Sequence, residues 1–126
     1  MRVFKNKWFT RWARGENISD TLLINAAEEI TEGKVEADLG GCLLKKRLSR
    51  IGGGKRGGYR IIVGFKRTNP ERIIFLYAFA KNEKGNISER EETALSLSAE
   101  AFLSANDKQV NELLEEGSIW EVQYNE

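Results

Sequence analysis

The sequence predicts an α+β fold, in which a small antiparallel sheet carries N-terminal and C-terminal helices on one of its sides. Apolar, strand-like segments lie together in the middle of the chain, and short connections between them favour an antiparallel meander. Segments with helical periodicity and capping residues precede and follow these strands. At 126 residues, 40% of them hydrophobic, the whole chain (1–126) is expected to form a single domain with its own core.

The N-terminal segment predicts one short strand and two helices. A short edge strand is expected at residues 2–4, followed by a helix with Trp8 and Trp12 at helical spacing. We expect these indoles to anchor the helix to the core, with base stacking as the alternative. A second helix should begin after the N-cap Ser19 and end at Gly33, since glycine tolerates the left-handed conformation that ends helices.

Three central strands alternate with turns. The second and third are apolar on both faces, as is typical of interior strands. A loop with five glycines in seven residues separates the first two, and an Asn-Pro-Glu turn separates the last two. The predicted strands are 43–51, 59–65 and 72–80, and the glycine loop is 52–58.

The C-terminal segment predicts two helices and an extended end. Ser88 and Glu91 fit a capping box, which begins a long helix. Asp107 is expected to cap a second helix that ends at Gly117. Residues 119–123 are expected to form a last strand or an extended tail.

Charge is distributed unevenly along the chain although the net charge is only +1. Residues 1–81 hold 17 Lys and Arg against 8 Asp and Glu, whereas residues 82–126 hold 3 against 11. The 23 residues from Lys45 to Arg67 contain nine cations and no acid. This run indicates either a solvated sheet face or a surface that binds a polyanion.

Several classes of site are excluded by composition. The sequence has no histidine, which excludes a histidine base or metal ligand, and its single cysteine, Cys42, excludes internal disulfides and CxxC sites. We therefore expect no metal and no small-molecule cofactor. The basic N-terminus lacks a signal-peptide pattern, and the longest apolar run, residues 73–80, is too short for a bilayer. A cytoplasmic protein without a membrane partner is expected.

The glycine loop does not fit a nucleotide-binding P-loop. Ser49 and Arg56 stand where that motif requires a glycine and a hydroxyl residue, and a strand rather than a helix follows the loop. The loop could instead bring Lys55 and Arg56 close to a phosphate chain, or it could be merely a flexible turn. The cationic flanking strands favour phosphate contact.

Strand alternation predicts where the cations converge. Lys45 shares a strand face with Arg47, and Tyr77 shares one with Phe79. We expect a concave surface with an aromatic ring available for stacking, which would suit an RNA strand. The cations expected to converge on it are Arg47, Arg60 and Lys81. Residues expected to contact RNA around it are Lys46, Arg50, Lys55 and Arg56.

These residues carry a resemblance to a known family. Lys45-x-Arg47, the GKxGGYR stretch of residues 54–60 and the AKNE stretch of residues 80–83, in this order and spacing, resemble the RelE/HigB superfamily of type II toxin–antitoxin systems. The resemblance implies a small microbial-ribonuclease-like fold. It also implies cleavage of mRNA in the ribosomal decoding site and neutralisation by a cognate antitoxin protein.

A ribonuclease without histidine needs another source of catalysis, and this family relies on lysine and arginine. Crowded cations disfavour one another's charged forms, so a lysine base is conceivable, while arginine stabilises the phosphate. The best-known RelE-type sequences carry Arg at the position of Asn82 and a Tyr near Ser88, so the proton donor here is open between Lys81 and Tyr77. Glu83 is expected to orient nearby cations. The resemblance carries the catalytic assignment to Arg60, Lys81, Lys45 and Arg47, and Tyr77 joins them as a candidate for the proton donor.

Three alternatives share the same basic face. The first is a non-catalytic RNA-binding or ribosome-binding module. The second is an inactive or differently targeted toxin. A DNA-binding regulator is disfavoured because the C-terminal helices are acidic, whereas a recognition helix is basic.

Overall fold

A computed structural model describes residues 1–49 and 58–124 of the chain. The predicted loop 52–58, except Gly58, lies outside the described residues, as do the predicted RNA contacts Arg50, Lys55 and Arg56. Over these described residues the fold is α+β, as predicted, with six strands and four helices. In chain order these are β1 (Arg2–Asn6), α1 (Lys7–Gly15), α2 (Asp20–Thr31), β2 (Ala37–Gly40), β3 (Leu43–Leu48), β4 (Tyr59–Phe65), β5 (Arg72–Ala80), α3 (Glu89–Ser104), α4 (Asp107–Glu116) and β6 (Ile119–Glu121).

The central meander is confirmed. β3, β4 and β5 pair antiparallel in sequence order, and β4 and β5 have the predicted bounds. The sequence analysis missed β2, which pairs antiparallel with the outer side of β3. Its four residues are half-buried and exposed in turn, so they lack the apolar run that marks an interior strand.

The prediction that residues 2–4 form an edge strand is wrong. The sheet order is β2-β3-β4-β5-β1-β6, so β1 is an interior strand that pairs parallel with β5 and antiparallel with β6. Val3 and Phe4 are both fully buried, and they belong to cores on opposite faces of the sheet. Two fully buried neighbours require cover on both faces, which an edge position gives poorly.

The prediction that all helices lie on one side of the sheet is also wrong. Helices α1 and α2 pack on one face, where Phe9 and Leu23 join Ile61 of β4 in a hydrophobic core. Helix α3 packs on the other face, where Phe102 joins Ile62 in a second core, to which α4 contributes. Every residue of β4 is buried, so both faces of this strand need a covering layer.

Helix ends follow local capping chemistry. Ser19 caps α2, and Ser88 with Glu91 forms the predicted capping box of α3. Helix α4 differs from the prediction, because Asn106 rather than Asp107 is its N-cap: the Asn106 side chain accepts a hydrogen bond from the Gln109 N–H at 2.8 Å. Gly117 ends α4 in the left-handed conformation (φ 76°), as predicted.

Two contacts fix α3 on the sheet. Gly64 of β4 lies under Ala99, where an added Cβ would be 2.9 Å from the Ala99 Cβ, so the helix approaches the strand at this point as closely as glycine permits. At the end of α3, the Arg72 guanidinium donates to the carbonyls of Phe102 (3.3 Å) and Ala105 (2.6 Å). Arg72 thereby satisfies acceptors that a helix C-terminus leaves unpaired.

Candidate functional site

Strand register brings the main predicted site residues to one face of the sheet. Arg47 of β3 lies directly opposite Arg60 of β4, which lies opposite Phe79 of β5. Two residues further along each strand, and so on the same face, Lys45 lies opposite Ile62, which lies opposite Tyr77. Directly paired residues share a face, so these side chains form a single surface. We call it the cationic face, and it comprises Lys45, Arg47, Arg60, Tyr77 and Phe79.

Glu36 joins two cations of this face. Its carboxylate oxygens lie 3.3 Å from Lys45 Nζ and 2.7 Å from Arg60 Nε. The side chains of Lys45 and Arg60 are only 13% and 10% exposed, so their charges need an anionic partner close by. The sequence analysis gave an orienting role to Glu83, which is exposed in the turn after β5; it is Glu36, directly before β2, that contacts these two cations.

The charge state of Glu36 follows from these contacts. Partial burial raises the pKa of its carboxyl, but the hydrogen bonds and positive charges of Lys45 and Arg60 together outweigh burial and hold the pKa below its ordinary value. Glu36 is therefore ionised at neutral pH. A depressed pKa also makes a carboxylate a weaker proton acceptor, so Glu36 is better suited to hold Arg60 and Lys45 in place than to act as a base.

Arg47 differs from its two neighbours in being exposed. Among residues 1–49 and 58–124, no acid lies within ion-pair distance of its guanidinium. An exposed guanidinium opposite a buried, oriented one can contact the same anion from two directions. Guanidinium groups bind phosphate bidentately, which gives direction as well as charge to such a contact.

Aromatic and charged side chains border the cationic face at Tyr77. The Trp8 and Tyr77 rings lie with centroids 4.6 Å apart and an interplanar angle of 35°. Lys84 Nζ donates to the Tyr77 hydroxyl at 3.3 Å and pairs with Glu91 at 2.6 Å. Hydrogen bonds from Lys84, and then from the Ser88 N–H, lower the pKa of Glu91 to about 2. Lys84 thus links the N-terminal turn of α3 to Tyr77.

Two further predicted site residues are not among the paired residues of the cationic face. Lys46 points to the opposite face of β3, where it contacts the Lys34 carbonyl at 2.9 Å and Glu29 at 3.2 Å. Lys81 follows β5 directly and is exposed, with its Nζ donating to the Gly85 carbonyl at 2.7 Å. Strand alternation separates Lys46 from Lys45 and Arg47, so Lys46 is not part of the cationic face.

Two features are absent from the described part of the chain. It contains no group of three or more His, Cys, Asp or Glu residues arranged to hold a metal ion. None of its helices has the length and apolar composition that crossing a membrane requires.

The fold and the site define a small α+β protein with a phosphate-suited cationic face on an open, mostly antiparallel sheet. Comparison with protein-family models matches residues 1–122 to the RelE toxin of the RelE/RelB toxin–antitoxin system. The chain therefore belongs to the RelE toxin family and is a toxin of a toxin–antitoxin system. Toxins of this family are generally endoribonucleases, and membership implies a cognate antitoxin as partner. No curated protein matched the chain.

Proposed function

We propose that this protein is a ribosome-dependent, metal-independent mRNA endoribonuclease, and that it belongs to a bacterial type II system of the RelE/HigB kind acting in the cytoplasm. Its cognate antitoxin neutralises it. The observation that supports this most is the cross-strand pair of Arg47 and Arg60, with Lys45 diagonal to Arg60 on the same face. Three convergent cations suit a phosphate whose charge increases during reaction.

The proposed reaction is transesterification at one phosphodiester. The 2′-oxygen attacks phosphorus and loses its proton to a base, the P–O5′ bond breaks, and the 5′-oxygen takes a proton from an acid. The products are a 2′,3′-cyclic phosphate and a 5′-hydroxyl end. In this scheme Arg60 and Arg47 stabilise the phosphorane. Lys45, paired with Glu36, adds positive charge to this stabilisation, and Lys81 is the candidate for the proton acceptor.

Hydrogen bonding around Tyr77 supports this residue as the proton donor. Lys84 donates to the Tyr77 oxygen, which leaves the hydroxyl proton available to another acceptor. Lys81, the alternative donor, is held by the Gly85 carbonyl in the turn. Tyr77→Phe keeps the ring and removes only this proton, so we expect kcat to fall by about 10²–10⁴ while the fold is retained.

The test is cleavage of a defined mRNA on purified bacterial ribosomes. Wild type should produce new 5′-hydroxyl ends within the reading frame. Because the proposed reaction needs no metal, the same cleavage is expected in EDTA as long as the ribosomes remain intact. Arg47→Ala and Arg60→Lys should each lower kcat/KM by about 10²–10³, the usual effect of removing one stabilising donor. Arg67→Ala removes an exposed cation beyond the other end of β4 and serves as the matched control, with unchanged cleavage expected.

Three outcomes would count against the proposal. Arrest of translation with intact messages would favour a non-catalytic ribosome-binding module. Full activity of Arg47→Ala and Arg60→Lys would show that the cationic face is not the site. Loss of the folded state in Arg60→Lys, measured by circular dichroism, would give this buried residue a structural role, and Arg47→Ala would then decide the assignment because Arg47 is exposed.

A further inference from the structure

Trp8 is a large aromatic side chain that is both fixed and exposed. It leaves 43% of its surface accessible although its ring lies 4.6 Å from that of Tyr77. The other indole of α1, Trp12, packs against Phe9 and Tyr59 beside the core, which accounts for its position by burial alone. Trp8 is too exposed for burial in the core to explain its position.

The position of Trp8 follows from where β1 ends. β1 pairs with β5 only as far as Lys5 and Phe75, so on the β1 side no strand lies beside Tyr77. Asn6 ends β1 there: its side chain donates to the Leu76 carbonyl at 3.0 Å and caps α1 by accepting from the Phe9 N–H at 2.7 Å. Helix α1 therefore begins beside Tyr77 and brings Trp8 to the border of the cationic face.

Trp8 also lies close to the proposed phosphate site. Tyr77 is the diagonal cross-strand neighbour of Arg60, a spacing of about 7–8 Å between Cα atoms. Trp8 is the next ring outward from Tyr77. A nucleotide whose phosphate contacted Arg60 and Arg47 would have its own base, or that of its neighbour, within reach of the exposed part of the indole.

We propose that Trp8 is a stacking platform for a nucleobase next to the cleaved phosphodiester, and that it contributes to the choice of cleavage site. This inference rests on the proposed function. Tyr77 holds the indole in place before RNA arrives, so little side-chain freedom is lost on binding. Lys84, which is itself held by Glu91, donates to the Tyr77 hydroxyl at 3.3 Å and so helps to fix the ring on which the indole rests.

The experiment measures stacking directly and cleavage separately. Purified toxin is added to bacterial ribosomes carrying an mRNA with 2-aminopurine in the decoding-site codon and a 2′-deoxynucleotide at the cleavage position, so that no attack can occur. Binding by wild type should quench the 2-aminopurine fluorescence, because the base stacks on the indole. In parallel, kcat and KM are measured on the corresponding all-ribose message.

Trp8→Ala should lose most of this quenching and raise KM by about 5- to 150-fold, with kcat little changed, since stacking contributes to binding before and during reaction alike. Trp8→Phe should restore part of both effects. Trp120→Ala is the matched control, because Trp120 is 38% exposed on β6, two strands away from β5. Its quenching and KM should match those of wild type.

The outcomes separate the two proposals. If wild type leaves the all-ribose message intact, the proposed ribonuclease function fails. If wild type cleaves it, but Trp8→Ala matches wild type in quenching, KM and cleavage positions, the stacking platform is refuted. A loss confined to kcat in Trp8→Ala would also refute it, since Trp8 would then act by positioning Tyr77.

Discussion

At the scale of single residues, the role of Glu36 could not be predicted from the sequence. The acid-free run from Lys45 to Arg67 directed attention to Lys45, Arg47 and Arg60, and the strand register brings them to one face together with Tyr77. Glu36 lies outside that run, and it reaches Arg60 only because β2 pairs with β3. The only sequence signal was an acid directly before the short segment Ala37–Gly40, and that segment has no strong strand pattern.

Lys46 is the opposite case, a residue that the sequence assigned to the RNA-binding surface but that lies on the other face of the strand. Its position in the cationic run suggested an RNA contact, but strand alternation turns it to the other face, where Glu29 and the Lys34 carbonyl bind it. Charge density along the chain does not distinguish the two faces of a strand. Strand alternation alone separates Lys46 from Lys45, so this error was avoidable from the sequence.

The ion pair of Lys84 and Glu91 predicts a pH dependence at the residue scale. The folded pKa of Glu91 is about 2, below its ordinary value of 4.5. A carboxyl with a depressed pKa contributes stability above its unfolded pKa and loses it as protons bind. We therefore expect this contribution to be complete above about pH 5 and to disappear as pH falls from 4.5 towards 2.

Carbon-detected NMR titration of the Glu91 carboxyl measures this pKa. The midpoint should lie near 2 in wild type and rise towards 4.5 in Lys84→Met, without reaching it, because the Ser88 N–H still donates to the carboxylate. Lys108→Met on α4 is the control and should leave the midpoint unchanged. A midpoint near 4.5 in wild type would show that the pair does not persist in solution.

At the scale of elements, the contact of α3 with β4 predicts a defined loss of stability. A methyl group at Gly64 would overlap the Ala99 Cβ, which is fixed to the helix backbone and cannot rotate away. Gly64→Ala should therefore destabilise the fold by about 1–3 kcal/mol in urea unfolding, the usual cost of overpacking. Gly85→Ala is the control, because nothing lies within 4 Å of an added Cβ there and its φ is not positive. Equal midpoints for the two variants would contradict the close approach.

Elements with their own local signals were predictable, and elements defined by long-range pairing were not. The predicted bounds of β4 and β5 agree with the structure because continuous apolar runs mark interior strands. The predicted starts of α2 and α3 agree with it because capping residues mark them. The predicted edge position of β1 was wrong because three residues cannot indicate which strands will flank them. The prediction that all helices lie on one side of the sheet was wrong, although the apolar pattern of β4 on both faces indicated cover on both.

At the scale of the whole molecule, charge segregation predicts how RNA binding responds to salt. A net charge of +1 gives little overall attraction to a polyanion, so binding should depend on the cationic face. For single strands, log K falls against log salt with a slope of about −0.7 per phosphate neutralised. Arg47→Ala should reduce the magnitude of this slope by about 0.7 for a labelled oligoribonucleotide with 2′-O-methyl sugars.

Fluorescence anisotropy across a salt series gives the slope for each variant. Arg67→Ala, which changes the net charge equally, should leave the slope of wild type unaltered. Equal reductions for both variants would show that the protein attracts RNA through its overall charge rather than through the cationic face.

The place of β1 in the sheet has a consequence for biosynthesis. β1 is synthesised first, yet its two neighbours, β5 and β6, are synthesised only much later, and Val122 also donates a backbone hydrogen bond to Val3 at 2.8 Å. Until residues 119–122 have left the ribosome, one side of β1 remains unpaired. A nascent chain therefore has no complete sheet until those residues have emerged. Pairings this distant in sequence also form slowly, which gives time for another protein to bind the chain before folding is complete.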